Sequence, residues 1–407
     1  MKTKITTAAP SPVIESDGFG SVYHQRFTVA YDYPVHFTQT LFAPGNPVFS
    51  TALGHREPEQ RQRFVVFIDA GVAAHWPDLA AAVAHYADHH SRQLELLAAP
   101  EIIVGGEQAK QDMVLVTNLQ KKLLDLGLDR HACVVAIGGG AFLDLIGYVA
   151  ATTHRGLRHV RVPTTVLSQN DSGVGVKNGV NAFGVKNLLG TFTPPFAVLN
   201  DADFLRTLQP RERAAGIAEA VKVALIRDAV FFEWLESRVA ALCSGDPAGM
   251  GHMIRHCAEL HMHQIAQGGD PFENGSARPL DYGHWAAHKL EVLSNHTLRH
   301  GEAVAIGMAL DCRYAVTSGL LSAGLDERIC RLLTQLGFHL WHPALEQRDG
   351  DGRWLLLDGL REFREHLGGE LTVTLLRDIG CGVEVHHMDH TLIQDAVTWL
   401  RNREPPQ

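Results

Sequence analysis

The sequence predicts a two-part α/β protein: an N-terminal Rossmann-like, doubly wound parallel sheet followed by a C-terminal, mainly α-helical half. Three observations predict it. Short β-branched runs alternate with helix-like segments through the first half; a triple glycine follows one of those runs; and from about Phe204 the pattern turns to Ala-, Leu- and Glu-rich helical periodicity. A chain of 407 residues also exceeds what one hydrophobic core usually holds. We place the boundary near 202–208, giving 1–204 as the sheet half and 205–407 as the helical half.

The strands expected in order are RFVVFIDAG, EIIVGG, ACVVAIGG, HVRVPTT and FAVLND. Between them, HWPDLAAAVAHYADHH and MVLVTNLQKKLLDLGL space their apolar residues as amphipathic helices do. Upstream, RFTVAYDYPVHFTQTLF alternates like an antiparallel pair packed beside the sheet. The long apolar stretch VVAIGGGAFLDLIGYVAATT contains three glycines and Asp144, so it reads as buried strand, turn and buried helix rather than a membrane span. Near the end, GELTVTLLRDIGCGVEVHHM reads as a strand and its return.

Composition narrows the function classes. Charged residues are 20% of the chain and hydrophobic ones 45%, as in ordinary soluble globular proteins. A net charge of -9 disfavours nucleic acid, because binding its backbone needs a basic face. Six cysteines without C-x-x-C spacing suggest neither disulfides nor a thiolate metal site, and the opening MKTKITTAAPSPV lacks the apolar run of a signal peptide. A cytoplasmic protein without membrane partners is expected.

Gly138, Gly139 and Gly140 end a strand and open a helix, where backbone N–H groups and the helix N-terminus stabilise phosphate. A tight turn without a ligand would look the same. Glu107 and Lys110, in GGEQAK after the preceding strand, are either a ribose-binding pair or a solvated turn, and Asp69 ends the first strand. Asp144, among apolar neighbours, needs a partner: a helix-packing hydrogen bond or a nicotinamide amide. Thr164 and Thr165 end another strand, as β-branched filling or as cofactor contacts.

The stretch from Arg155 to Pro195, with VPTT, DSGVGVKNGVN and KN, closely resembles the dehydroquinate synthase family and its sugar phosphate cyclase relatives. AGIAEAVK (215–222), RPLDYGHWAAHKLE (278–291) and RHGEAVAIGM (299–308) follow in that family's order, and the chain is most similar to the EboD-type, dehydroquinate synthase-like group. The resemblance implies that Glu219, His284 and His300 bind a divalent metal, zinc with cobalt as the alternative. Two imidazoles and a carboxylate suit that ion and leave positions open for substrate oxygens. It implies NAD at Asp69, Glu107, Lys110, Gly138–Gly140, Asp144, Thr164 and Thr165. Lys177, Lys222, Asp171, His288 and Arg155 become catalytic candidates; Lys186, Asn187, Asp281, Arg278 and His366 become substrate-binding ones. A homodimer is expected.

Two departures bear on the substrate. The usual N-F-G-H becomes L-D-Y-G-H, placing Asp281 where an asparagine stands, with Arg278 displaced by one position; and F-R-E-H-L-G-G (363–369) replaces a lysine-rich element. A carboxylate beside the substrate repels a carboxylate ligand and accepts from hydroxyls. The expected activity is therefore cyclisation of a ketose phosphate, sedoheptulose 7-phosphate, to a valiolone-type carbocycle, by transient oxidation with NAD, β-elimination of phosphate, reduction and intramolecular aldol closure. The alternatives are 3-dehydroquinate synthase itself, an NAD- and metal-dependent polyol dehydrogenase on the same plan, and a non-catalytic homologue.

Overall fold

A computed structural model of the chain describes residues 13–16, 21–183, 185–273, 279–366 and 369–403. Residues up to Tyr33 form one compact unit and Pro34–Gln407 another. The first holds an antiparallel hairpin of β1 (Val13–Ser16) and β2 (Ser21–His24).

The second unit begins with β3 (Val35–Thr38), then α1 (Val48–Gly54), β4 (Gln62–Asp69), α2 (Ala70–His75) and α3 (Leu79–His89). Next come β5 (Leu94–Leu96), β6 (Glu101–Ile103), α4 (Met113–Asp125), β7 (Cys133–Gly138), α5 (Gly140–Thr152) and β8 (Arg158–Pro163). A hairpin of β9 (Lys177–Ala182) and β10 (Val185–Phe192) precedes β11 (Ala197–Asp201). The seven-stranded sheet runs β3-β11-β8-β7-β4-β5, with β6 also on β4, and its pairings are parallel. The antiparallel pair expected in RFTVAYDYPVHFTQTLF is not formed: only Val35–Thr38 is a strand, and it joins β11 in parallel. Pro34 has no N–H to give a ladder, and its carbonyl accepts from Val198 N–H at 3.0 Å, so the pairing with β11 starts there.

Both faces of the sheet are covered. Val65, Phe67, Val134 and Ala136 pack against Leu119, Leu123, Leu145 and Ile146 of α4 and α5. Their sequence neighbours Phe64, Val66, Ile68, Val135 and Ile137 pack against Phe49, Leu53, Val83 and Tyr86 of α1 and α3. The period-two alternation of strands feeds two helical layers, so the strands read as continuous apolar runs. From β4 the chain steps outward to β5 and β6, then returns to β7 on the other side. The crevice at the carboxyl ends of β4 and β7 is thus the topological switch point of the sheet, where such folds hold ligands.

The helical half contains α6 (Pro210–Arg227), α7 (Ala229–Ser237), α8 (Val239–Ser244), α9 (Pro247–Gln267), α10 (His284–Leu293), α11 (His300–Thr317), α12 (Leu325–Gln335), α13 (Asp358–His366) and α14 (His390–Arg403), with the hairpin β12 (Val373–Asp378) and β13 (Cys381–Val385) between the last two helices. Helix α11 is buried along nearly its whole length and packs on α6 and α10. Two glycines permit this. A Cβ on Gly301 would lie 2.4 Å from the Ala215 Cα of α6, and one on Gly307 would lie 2.0 Å from the Gly283 carbonyl oxygen just before α10. No helix among the described residues is long and apolar enough to cross a membrane, and all six cysteines are free.

Candidate metal and dinucleotide site

Helix α6 places Glu219 and Lys222 one turn apart, both almost fully buried and in ion-pair contact. Glycine-permitted contact brings the starts of α10 and α11 to the same point. His284 Nε2 lies 3.9 Å and His300 Nε2 3.5 Å from Glu219 Oε1. The donor atoms of the three all fall within 4.8 Å of one another.

The electrostatics suit a cation. Burial opposes the Glu219 charge, but Lys222 and His300 draw its pKa down to about 2. Burial likewise opposes the His300 cation, yet Glu219 and Glu291 raise it to about 9. His284, buried beside Lys222, is held well below its usual value and stays neutral. Its Nδ1–H donates to the Tyr282 carbonyl at 3.1 Å, so Nε2 presents its lone pair to Glu219. Glu219 Oε2 is in contact with Lys222, while Oε1 is buried facing both imidazoles without a well-formed hydrogen bond. Buried polar atoms left in that state call for a partner, and a divalent ion with two imidazoles and one carboxylate is a chemically ordinary one.

Charged groups surround this trio. Asp171 Oδ1 sits 2.8 Å from His261 Nδ1. Burial and Glu219 push the Asp171 pKa up, while Lys222 and His261 more than offset them. Asp281, also opposed by burial, is kept ionised chiefly by Lys177 and Lys222. Burial would discharge Lys222, but Glu219, Asp171 and Asp281 hold its pKa above the usual lysine value. Lys177 is more exposed and pairs with Glu273 at 2.5 Å. His288, one turn after His284 on α10, opens to the cleft with its ring 5.4 Å from that of His284.

The nucleotide candidates gather at the switch-point crevice. Gly139 caps α5; a Cβ on Gly138 would come within 2.6 Å of Phe142 Cδ1 and 2.9 Å of its Cβ, disturbing the turn's packing, whereas one on Gly140 would press mainly on the rotatable Ser172 Oγ at 2.6 Å. Asp69 ends β4 and caps α2 through Gly71 N–H at 2.7 Å; burial raises its pKa. Thr164 is buried and donates its N–H to the Gly138 carbonyl at 3.0 Å, while Thr165 Oγ1 bonds Ser168 Oγ at 2.8 Å. Lys110 donates to Asp144 at 2.9 Å and to Asn187 Oδ1 at 2.5 Å. Asn181 donates to Glu107 at 2.9 Å. Asp144 thus has a lysine partner within the protein.

Other expectations are placed differently. Asn187, expected at the substrate, sits at a bulge of β10 with φ +54 and joins Lys110 and Asn181. Its neighbour Lys186 turns the other way and reaches Glu291 at 3.4 Å, as successive strand residues do. Arg155 is exposed with φ +62 on the turn between α5 and β8, at the opposite end of α5 from Gly140; within this chain it does not join the cluster. Arg278 and the side chain of His366 lie outside the described residues. Sequence reasoning missed His261, Asn181, Glu273 and Glu291. For Glu291 a signal existed: residues 284, 288 and 291 share one helix face. His261 had none, since α9 reaches Asp171 only through tertiary packing.

Residues 101–215 match the 3-dehydroquinate synthase N-terminal family model and residues 216–350 the C-terminal one. A 3-dehydroquinate synthase of Xanthomonas campestris pv. campestris is 36% identical over 303 residues, 73% of this chain and 80% of the relative. One from Xylella fastidiosa is 38% identical over 282 residues, 68% of this chain and 74% of the relative. Among solved structures, 2-epi-5-epi-valiolone synthase from Streptomyces hygroscopicus subsp. jinggangensis, with NAD+ and Zn2+ bound, is 30% identical with a TM-score of 0.81, covering 94% of this chain and all of that one. A 2-deoxy-scyllo-inosose synthase shares the fold at 23% identity and a TM-score of 0.70, over 95% of this chain and 99% of that one. With both family models matched across the glycine turn and the Glu219–His284–His300 cluster, the chain belongs to the 3-dehydroquinate synthase family.

Proposed function

We propose that this chain is a sugar phosphate cyclase, a carbon–oxygen lyase that uses NAD and a divalent metal, zinc or cobalt, to turn sedoheptulose 7-phosphate into a valiolone-type carbocycle. The observation that carries the reading is the convergence of Glu219, His284 and His300 beside Lys222, Asp171 and Asp281. We assign the dinucleotide role to residues 1–204 and the metal and substrate role to 205–407. We further infer a cytoplasmic homodimer.

Glu219, His284 and His300 would hold the ion, and the crevice lined by Asp69, Glu107 and Gly138–Gly140 the dinucleotide. Bound there, the ion supplies Lewis acidity and the nicotinamide a reversible hydride acceptor. The chain's own groups do the rest. Lys222, a fixed buried cation, stabilises developing negative charge on a substrate oxygen. Lys177 and Lys186 offer their ammonium groups to phosphate. Asp171 orients a hydroxyl, with His261 fixing its carboxylate, and His288, exposed beside His284, passes a proton.

Asp281 supports the neutral substrate, because an ionised carboxylate there disfavours a carboxylated one. The likeness to valiolone synthase over 94% of the chain favours the same reading. The dehydroquinate synthase names of the sequence relatives favour the second one, dehydroquinate synthase itself. Incubation of the metal- and NAD-loaded protein with sedoheptulose 7-phosphate, and separately with the carboxylated heptulosonate phosphate precursor of dehydroquinate, separates them. The proposal expects phosphate release and a cyclised product from the first. Turnover of the second alone would establish the synthase reading, and stoichiometric NADH accumulation a dehydrogenase.

A further inference from the structure

Glu291 lies on α10, seven residues beyond His284 and three beyond His288, on the same helix face. It is 6% exposed. Its Oε1 stands 3.4 Å from His300 Nδ1, the ring nitrogen turned away from Glu219, and 3.4 Å from Lys186 Nζ. His300 Nδ1 is itself buried and has no well-aligned hydrogen-bond partner among the described residues, with Glu291 Oε1 facing it at ion-pair distance. His284 has the corresponding arrangement, its Nδ1 held by the Tyr282 carbonyl. The two imidazoles of the trio are thus each backed by an acceptor on the side away from Glu219.

We propose that Glu291 is the positioning carboxylate of the metal centre: it accepts the Nδ1–H of His300, fixing the tautomer and ring plane that present Nε2 to the ion, and its second contact ties Lys186 to that centre. A carboxylate behind a metal-bound imidazole raises the basicity of the ligand and restricts its rotation. Lys186 and the imidazole share one negative charge, so the lysine proposed to bind substrate phosphate is tied through Glu291 to His300. This inference rests on the metal site proposed above.

The rival arrangement is built into the same residues. His288, Glu291 and His300 also bring donor atoms within 4.8 Å, which would make Glu291 a ligand itself. The test is Co2+ titration of the metal-stripped full-length protein, followed by its visible absorption and by competition with a chromophoric chelator, with NAD binding measured alongside. Variants are Glu291→Gln, Glu291→Ala, His284→Ala and His288→Ala. The proposal expects His284→Ala to abolish binding and His288→Ala to stay within about threefold of wild type. Glu291→Gln, which still accepts a hydrogen bond but lacks the charge, should bind about tenfold more weakly, and Glu291→Ala about 100-fold more weakly, with NAD affinity unchanged in both. Should the alanine variant fail to fold, the near-isosteric glutamine carries the test. Loss of binding in His288→Ala with retention in His284→Ala would overturn the positioning role in favour of direct ligation. Wild-type affinity in both Glu291 variants would overturn the inference alone. A wild-type protein that takes up no Co2+ would overturn the metal site with it.

Discussion

Replacing Gly301 by alanine tests how the three ligands are brought together. Gly301 follows His300 on α11 and faces Ala215, one turn before Glu219 on α6. The added Cβ would stand 2.4 Å from Ala215 Cα, 2.6 Å from its oxygen and 2.8 Å from its carbonyl carbon, about 1 Å short of the 3.4 Å at which ordinary contact begins. All three atoms are backbone, so no side-chain rotation relieves the clash and the helices must part. Metal–ligand distances tolerate only about 0.2 Å, so a shift approaching 1 Å separates His300 from Glu219 by several times that. Overpacking of this kind costs about 1–3 kcal/mol, and the lack of side-chain relief argues for the upper part of that range. The expected result is destabilisation of about 2–3 kcal/mol in urea unfolding of the metal-free protein, with Zn2+ affinity reduced at least about tenfold in chelator competition. Gly251→Ala is the control: it is exposed on α9 with nothing within 4 Å, and alanine there should be neutral or stabilising by up to about 1 kcal/mol. A Gly301→Ala protein with wild-type stability and wild-type metal affinity would refute the reasoning.

Burial pushes the Asp311 carboxyl from 3.8 up to about 7, against the hydrogen bonds from Trp285 Nε1 and Gly283 N–H. Between roughly pH 4 and 7 the unfolded chain has lost a proton that the folded chain keeps, so stability falls as pH rises through that window, by at most about 4 kcal/mol. Asp311→Asn should flatten that part of the pH–stability curve, and parallel curves for variant and wild type would reject it. Gly138→Ala would place a Cβ 2.6 Å from Phe142 Cδ1 at the dinucleotide turn; NADH titration by fluorescence should show binding weakened about tenfold, or about 1.4 kcal/mol, with Co2+ binding retained. Asp281→Asn removes a negative charge beside the proposed substrate, and kcat/KM for the carboxylated substrate relative to the neutral one should rise about tenfold, since like charges oppose binding; an unchanged ratio would exclude Asp281 as the discriminating group.

Much was legible in the residues themselves. Parallel strands buried on both faces read as near-continuous apolar runs, so ACVVAIGG announced a covered sheet, and the glycines that follow it announced a tight turn into a helix. Ordered motifs likewise marked Glu219, His284 and His300 by resemblance, since the chemistry restricts which side chains can serve. The proline at position 34 carried its own warning against the antiparallel pair, which local alternation obscured.

What the linear order could not decide was which groups meet. Glu219 precedes His300 by 81 positions, and their approach depends on two glycines letting α11 press against α6 and against the loop before α10. Lys186 and Asn187, neighbours in sequence, meet distant partners, Glu291 on α10 and Lys110 after β6, and His261 joins Asp171 only because α9 packs against it. Residue type, period and local backbone preference are properties of a few neighbours along the chain. Contacts between distant helices arise from how whole surfaces pack, and there tertiary structure alone chose the partners.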